Sequence, residues 1–134
     1  MAEEAEPQLN GPREAEWFER LEEEHDNFRA ALSWALARGD PDQLGLRLAG
    51  ALRAFWLHRR YYGEGRGWLE EALAREGGAS PRARLKALEA AGAIARRQGD
   101  LDRAKAAAEE GLKLSVEAGV GSDHDVAFFK TMLA

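Results

Sequence analysis

The feature that most constrains this fold is an internal echo. The stretch Trp56 to Leu73 ends in Glu70-Glu71-Ala72-Leu73, which returns as Glu109-Glu110-Gly111-Leu112. That shift of 39 positions also carries Gly65 onto Ala104 and Leu69 onto Ala108. Small and aliphatic residues thus recur at matching helical places. A period between about 20 and 50 residues, with helical patterning on both sides of a turn, marks an α-solenoid whose hairpins each bury an apolar face on the next. The expected class is all-α: an α-solenoid of antiparallel helical hairpins with about six helices.

With 134 residues, 45% hydrophobic and 32% charged, the chain suits one soluble domain with a continuous core. It has no cysteine, which excludes a disulfide framework, thiolate chemistry and Cys-based zinc, and is compatible with a reducing, cytoplasmic setting. The acidic start, Met1 to Gly11, lacks the apolar core of a signal peptide and any membrane-spanning run. A net charge of -5 argues against direct nucleic-acid binding by the whole chain, because phosphate contacts need a cationic face.

Residues 1–12 hold Glu3, Glu4, Glu6, Pro7, Asn10, Gly11 and Pro12, and read as a disordered acidic lead too polar and broken to bury anything. The repeat domain is placed at 13–134, with hairpins near 13–59, 62–98 and 101–134. Phe18, Leu21, His25, Phe28, Leu32 and Ala35 step by three and four along a helix stopped by Gly39. Asp26 and Asn27 are poor mid-helix residues, so a kink or a split into two helices there is the alternative. Asp40-Pro41 reads as a cap and first turn for a helix to about Arg59, with Leu44, Leu48, Leu52 and Phe55 on one stripe and Leu46, Ala49, Trp56 and Leu57 beside it. A third helix, about Tyr62 to Arg75, is stopped by Gly77-Gly78. Ser80-Pro81 opens a fourth, which Gly99 closes. Asp100 caps a fifth, to Ala118, in which Ala104, Ala108 and Gly111 let two helix axes approach. Ser122 with Asp125 is a capping box for a sixth.

Gly92, Ala104, Ala108 and Gly111, around the Gly99-Asp100 turn, resemble the small-residue positions of a tetratricopeptide repeat. Ala95 and Ala108 depart from that motif where larger residues are usual, and Val116 stands near the place of its closing proline. A more specific likeness spans Trp17 to Gly119. Glu24-His25-Asp26-Asn27-Phe28-Arg29-Ala30-Ala31-Leu32, Gly45-Leu46-Arg47-Leu48-Ala49, Phe55-Trp56 and Glu64-Gly65-Arg66-Gly67-Trp68-Leu69-Glu70 are similar to the helical segment of large bacterial ATPase-type transcriptional regulators, of the LuxR and antibiotic-regulator types. The resemblance implies a helical repeat module of a signal-transducing regulator.

Most candidates for chemistry have a simpler structural reading. Gly63-Glu64-Gly65-Arg66-Gly67 lacks the Lys-Ser/Thr of a phosphate loop and follows no strand, so it reads as a helix start with close-packed glycines. His25, His58 and His124 lie far apart, which is not a metal-ligand set, and His25 reads as a histidine donating to a carboxylate or backbone within the packing. No set of nucleophile, base and orienting group emerges, so the chain reads as non-catalytic and without a cofactor.

One cluster stands out. Arg53, His58, Arg59, Arg60 and Arg66 crowd the same hairpin as Phe55, Trp56, Tyr61, Tyr62 and Trp68, the composition of interaction hot spots. Arg53, Trp56, Arg60 and Arg66 are the expected partner-binding residues, suited to an acidic or phosphorylated peptide. The leading reading is a protein–protein interaction scaffold. The second is a sensing module in which Arg53 and Trp56 line a pocket for an anionic or aromatic effector. An open groove of arginine and aromatic side chains favours the first, and a closed pocket with convergent polar groups the second. At the C-terminal end, Val126, Phe129 and Leu133 form an inward stripe, while Phe128 and Met132 are expected to stay open and pair two copies end to end.

Overall fold

The computed structural model describes residues 2–8, 13–37, 44–75 and 80–133. Every regular element among them is helical: α1 (Ala2–Ala5), a 3-10 turn (Glu6–Gln8), α2 (Glu14–Glu23), α3 (His25–Ala37), α4 (Leu44–Ala51), α5 (Arg53–His58), α6 (Tyr62–Ala74), α7 (Pro81–Arg97), α8 (Leu101–Ala118) and α9 (Asp123–Leu133). None is long and apolar enough to cross a membrane. The predicted starts at Asp40-Pro41 and stops at Gly39 and Gly77-Gly78 lie outside the described residues.

Nine helices among the described residues, in place of about six, have a local cause. The first and second expected helices each bend once, at Glu24 (φ -91°, ψ 3°) and at Leu52 (φ -86°, ψ 0°). The backbone ladder continues through both bends, with the Glu24 N–H on the Arg20 carbonyl at 3.2 Å and the Leu52 N–H on the Leu48 carbonyl at 3.1 Å. Beside the first bend, Asn27 Nδ2 donates to the Glu24 carboxylate at 2.7 Å, a bond between side chains that leaves the backbone ladder intact. α1 supplies the remaining helix.

Of the expected lead, residues 1–12, the described part is residues 2–8, which are helical. Ala2 and Ala5 are buried against α4, Glu3 pairs with Arg47 at 2.9 Å, and Glu6 pairs with Lys86. Composition concealed this because the apolar contact is made by two alanines and the charges meet partners far away in sequence. The hold is weak: half-exposed ion pairs contribute about 0–1 kcal/mol each, against about 1–2 kcal/mol of backbone entropy for each residue ordered.

The caps follow the sequence signals. Ser80 Oγ accepts from the Ala83 N–H at 3.4 Å, and Asp100 Oδ1 accepts from the Arg103 N–H at 3.1 Å. Ser122 and Asp125 bond reciprocally, at 2.7 Å and 3.3 Å. Gly99 and Gly119 adopt φ of 79° and 64°, the left-handed stops that L side chains disfavour.

Large side chains seated on glycines join the helices. A Cβ on Gly65 would lie 2.7 Å from the fully buried Trp56 ring, and one on Gly92 would lie 2.7 Å from Met132 Sδ. The Phe129 ring occupies the corresponding space at Gly111. The small-residue stripe of α8 therefore admits an aromatic ring of α9 rather than only a close helix axis. This packing also turns α9 from its expected register. Phe129 and Met132 face inward, while Val126, Phe128 and Leu133 are half-buried.

Charged pairs bind α3, α6 and α8 along one edge. His25 Nε2 meets Glu64 Oε2 at 2.9 Å, Arg29 donates to Glu64 at 2.6 Å, Arg66 reaches Asp100 at 2.6 Å, and Arg103 reaches Glu70 at 2.5 Å. Two of the strings that carry the regulator resemblance, around His25 and around Glu64, thus meet in space. Gly63 to Gly67 lie inside α6, so the loop-like glycine spacing is helical packing.

Candidate functional site

The predicted partner-binding residues separate. Trp56 is 1% exposed and fills the Gly65 hollow, so it is a core residue and unavailable to a partner. Sequence spacing set it on a face with Arg53 and Arg60, but α6 presents Gly65 to that face and the indole takes the space a Cβ there would need. Arg66 is engaged by Gln98 at 3.0 Å and Asp100 at 2.6 Å, a tie between α6 and the α7–α8 turn. The Arg103 backbone N–H first, and then the Arg66 guanidinium, hold the Asp100 carboxyl below its ordinary range. Met132 is seated on Gly92, which removes it as an exposed self-association residue, and Phe128 lies under the Arg53 guanidinium at 4.8 Å from the ring centroid.

Arg60 is different. It is exposed, follows α5 directly, and adopts φ 61°, the one left-handed residue other than glycine among those described. It borders an open hollow of about 530 Å³ lined by Glu14, Phe18, Ala54, Leu57, His58, Tyr62 and Arg97. The His58 ring stacks on Phe18 at 3.8 Å with 7° between planes, which makes a flat aromatic wall. Neither Arg60 nor Arg97 forms an ion pair among the described residues. Two cations thus flank an aromatic and aliphatic floor, with the single carboxylate of Glu14 among the lining residues. Arg97 escaped the sequence reading because a basic residue in a last helical turn also answers the helix dipole. Its approach to Arg60 is purely tertiary.

A second hollow, of about 270 Å³, lies between α7 and α9 and is lined by Arg82, Leu85, Lys86, Glu89 and Asp125. Burial pushes the Glu89 carboxyl up to about 8, and Asp125 beside it adds to the shift. Asp125 is held below its ordinary range, chiefly by hydrogen bonding from Glu89 and also from Ser122. Glu89 Oε2 stands 3.8 Å from Arg53, while Oε1 is buried with no hydrogen-bond partner at its position. The desolvated Arg53 is itself lowered by burial, offset in part by Glu89 and Glu6. Glu89 was legible only as an acid four residues after Leu85, on the apolar side of α7.

His25, the other candidate of the first helix, is buried between Phe55 and Tyr61 at ring separations of 5.2 Å and 4.8 Å and bonds to Glu64. No group of three or more histidine, cysteine or acidic residues that could hold a metal occurs among the described residues. Comparisons with protein-family models, curated proteins and solved structures find no match for this chain.

Proposed function

We propose that this chain is a non-catalytic interaction module, a tetratricopeptide-like stack of helical hairpins, that receives an acidic peptide segment of a partner protein in the Arg60–Arg97 groove. The observation that carries the reading is the pair of arginines, without ion pairs among the described residues, beside the floor of Phe18, His58, Leu57 and Tyr62. Carboxylates gain charge-assisted bonds from guanidinium groups, and an apolar residue between them gains contact area on the floor. Backbone strain held at Arg60 belongs to the same argument, because strained residues concentrate where a side chain must be aimed. The edge-on ties linking α3, α6 and α8 support a repeating stack, and the resemblance of the His25 and Glu64 strings supports a place within a bacterial signal-transducing transcriptional regulator.

The test is fluorescence anisotropy with a labelled glutamate-rich peptide carrying one phenylalanine. Wild type should bind in a salt-sensitive manner, and an Arg60→Glu, Arg97→Glu variant with an unchanged circular dichroism spectrum should lose about tenfold or more in affinity. Equal binding by both proteins, or none by wild type, overturns the reading. The alternative, a module sensing a small effector, draws support from the polar hollow at Glu89 and Asp125. It cannot include Trp56, and it predicts a thermal shift with small zwitterionic or anionic compounds that Glu89→Gln removes.

A further inference from the structure

The face beneath residues 2–8 is larger than the segment seated on it. Glu3 lines two hollows at once. One, of about 280 Å³, is bounded by Ala31, Trp34, Ala35, Leu44 and Leu48 as well as Ala2 and Arg47. The other, of about 220 Å³, is bounded by Leu46, Arg47, Ser80, Arg82, Ala83 and Lys86. The first is mostly apolar, and its rim holds two of the large hydrophobic side chains left exposed, Trp34 at 54% and Leu44 at 44%. The second is cationic. Between them, residues 2–8 contribute two alanines and two carboxylates, so they neutralise Arg47 and Lys86 yet leave both hollows unfilled.

We infer that this face of α3, α4 and α7 is a docking surface for a short acidic helix of a partner protein that carries a bulky apolar side chain. Residues 2–8 are a weaker occupant in cis that such a partner displaces. The cis segment shows the chemistry the face accepts: small residues where Ala2 and Ala5 meet α4, and carboxylates on Arg47 and Lys86. A better ligand adds what the segment lacks, an aliphatic or aromatic side chain for the Trp34–Leu44–Leu48 hollow and a further acid directed to Arg82. Displacement is easy because α1 spans only four residues, far below the length at which a helix sustains itself. Its ion pairs are also half-exposed and screened by salt.

Three labelled peptides of residues 1–8 test this against the full chain by fluorescence anisotropy: the natural sequence, one with Ala2→Leu, and one with Glu3→Lys and Glu6→Lys. The Leu peptide should bind about tenfold or more tighter than the natural one, and the charge-reversed peptide should not bind. Placing Glu3→Lys and Glu6→Lys in the protein itself should raise affinity for the Leu peptide about tenfold by removing the competitor in cis. Arg47→Glu with Lys86→Glu should lower affinity for the Leu peptide about tenfold or more. Circular dichroism establishes that each variant is folded. Equal affinity of the Leu and natural peptides, affinity unchanged by Arg47→Glu with Lys86→Glu, or no binding of any peptide would each overturn the inference.

Discussion

Glu64 and Glu89 are the same residue type at the same kind of place, a helix-to-helix junction beside a glycine that seats a large side chain, yet their electrostatics are opposite. Glu64 accepts from Arg29 at 2.6 Å and meets His25 at 2.9 Å, and these donors, Arg29 first, hold its carboxyl below the ordinary range. Glu89 has a second carboxylate before it and one oxygen without a partner, so burial prevails and its carboxyl rises to about 8. The contrast teaches that burial alone does not decide whether an acid locks a junction. The number of donors supplied by the facing helix does.

Packing at the Glu64 junction and at the seat of α9 on α8 should be alike. Trp56→Ala and Phe129→Ala each remove a fully buried ring seated on a glycine, at Gly65 and Gly111 respectively. Each should cost about 3–5 kcal/mol in a urea titration. A loss below about 1 kcal/mol at Phe129 would break the comparison, because α9 would then be a loosely attached appendage.

The charges should separate the junctions. The Glu64 carboxyl lies below its unfolded value, so its contribution is present above the ordinary carboxylate range and lost as pH falls through the folded value. Glu89 runs the other way. Its folded value of about 8 exceeds the ordinary 4.5, so the folded protein keeps a proton that the unfolded chain releases between those pH values. Stability therefore falls as pH rises across that window, by at most a few kcal/mol, and levels off above it. Glu89→Gln should flatten this slope and raise the melting temperature at pH 8 and above. Glu64→Gln should lower stability by about 1 kcal/mol at neutral pH, after allowance for solvent screening. Melting curves from pH 4 to 9 for the two variants check both signs. A pH slope unchanged in Glu89→Gln would show that the carboxyl is ionised throughout.

This asymmetry also marks the limit of the sequence. Caps at Ser80, Asp100 and Ser122, the stops at Gly99 and Gly119, and the helical class were readable because each is a local event, decided by residues within a turn or two. The destination of Trp56 was not, since the hollow that takes its ring is made by Gly65 on the next helix. The burial of Ala2 and Ala5 was not legible either, because the partners that make a polar segment dock lie on α4 and α7. Of the groove, Arg60 and His58 were visible as members of a cation-rich hairpin, whereas Arg97 joins them only through tertiary packing.

The smallest effect sharpens the comparison by replacing a cost of charge with a cost of backbone. Glu89 is held against desolvation; Arg60 is held at φ 61°, where its Cβ crowds the neighbouring carbonyl at a cost of about 1 kcal/mol. Glycine removes that crowding, though it also gives the unfolded chain more freedom, so the two terms partly cancel. Arg60→Gly should therefore stabilise the fold by about 0.5 kcal/mol, keeping the bond from the residue 60 N–H to the Leu57 carbonyl, 3.3 Å in the native chain. Affinity for the acidic peptide should fall at the same time, because one of the two groove cations is gone. Higher stability with weaker binding is the expected signature of a residue kept for its side chain rather than for its conformation. Lower stability in Arg60→Gly would show that the guanidinium makes a contact that holds the fold, and would remove Arg60 from the proposed groove.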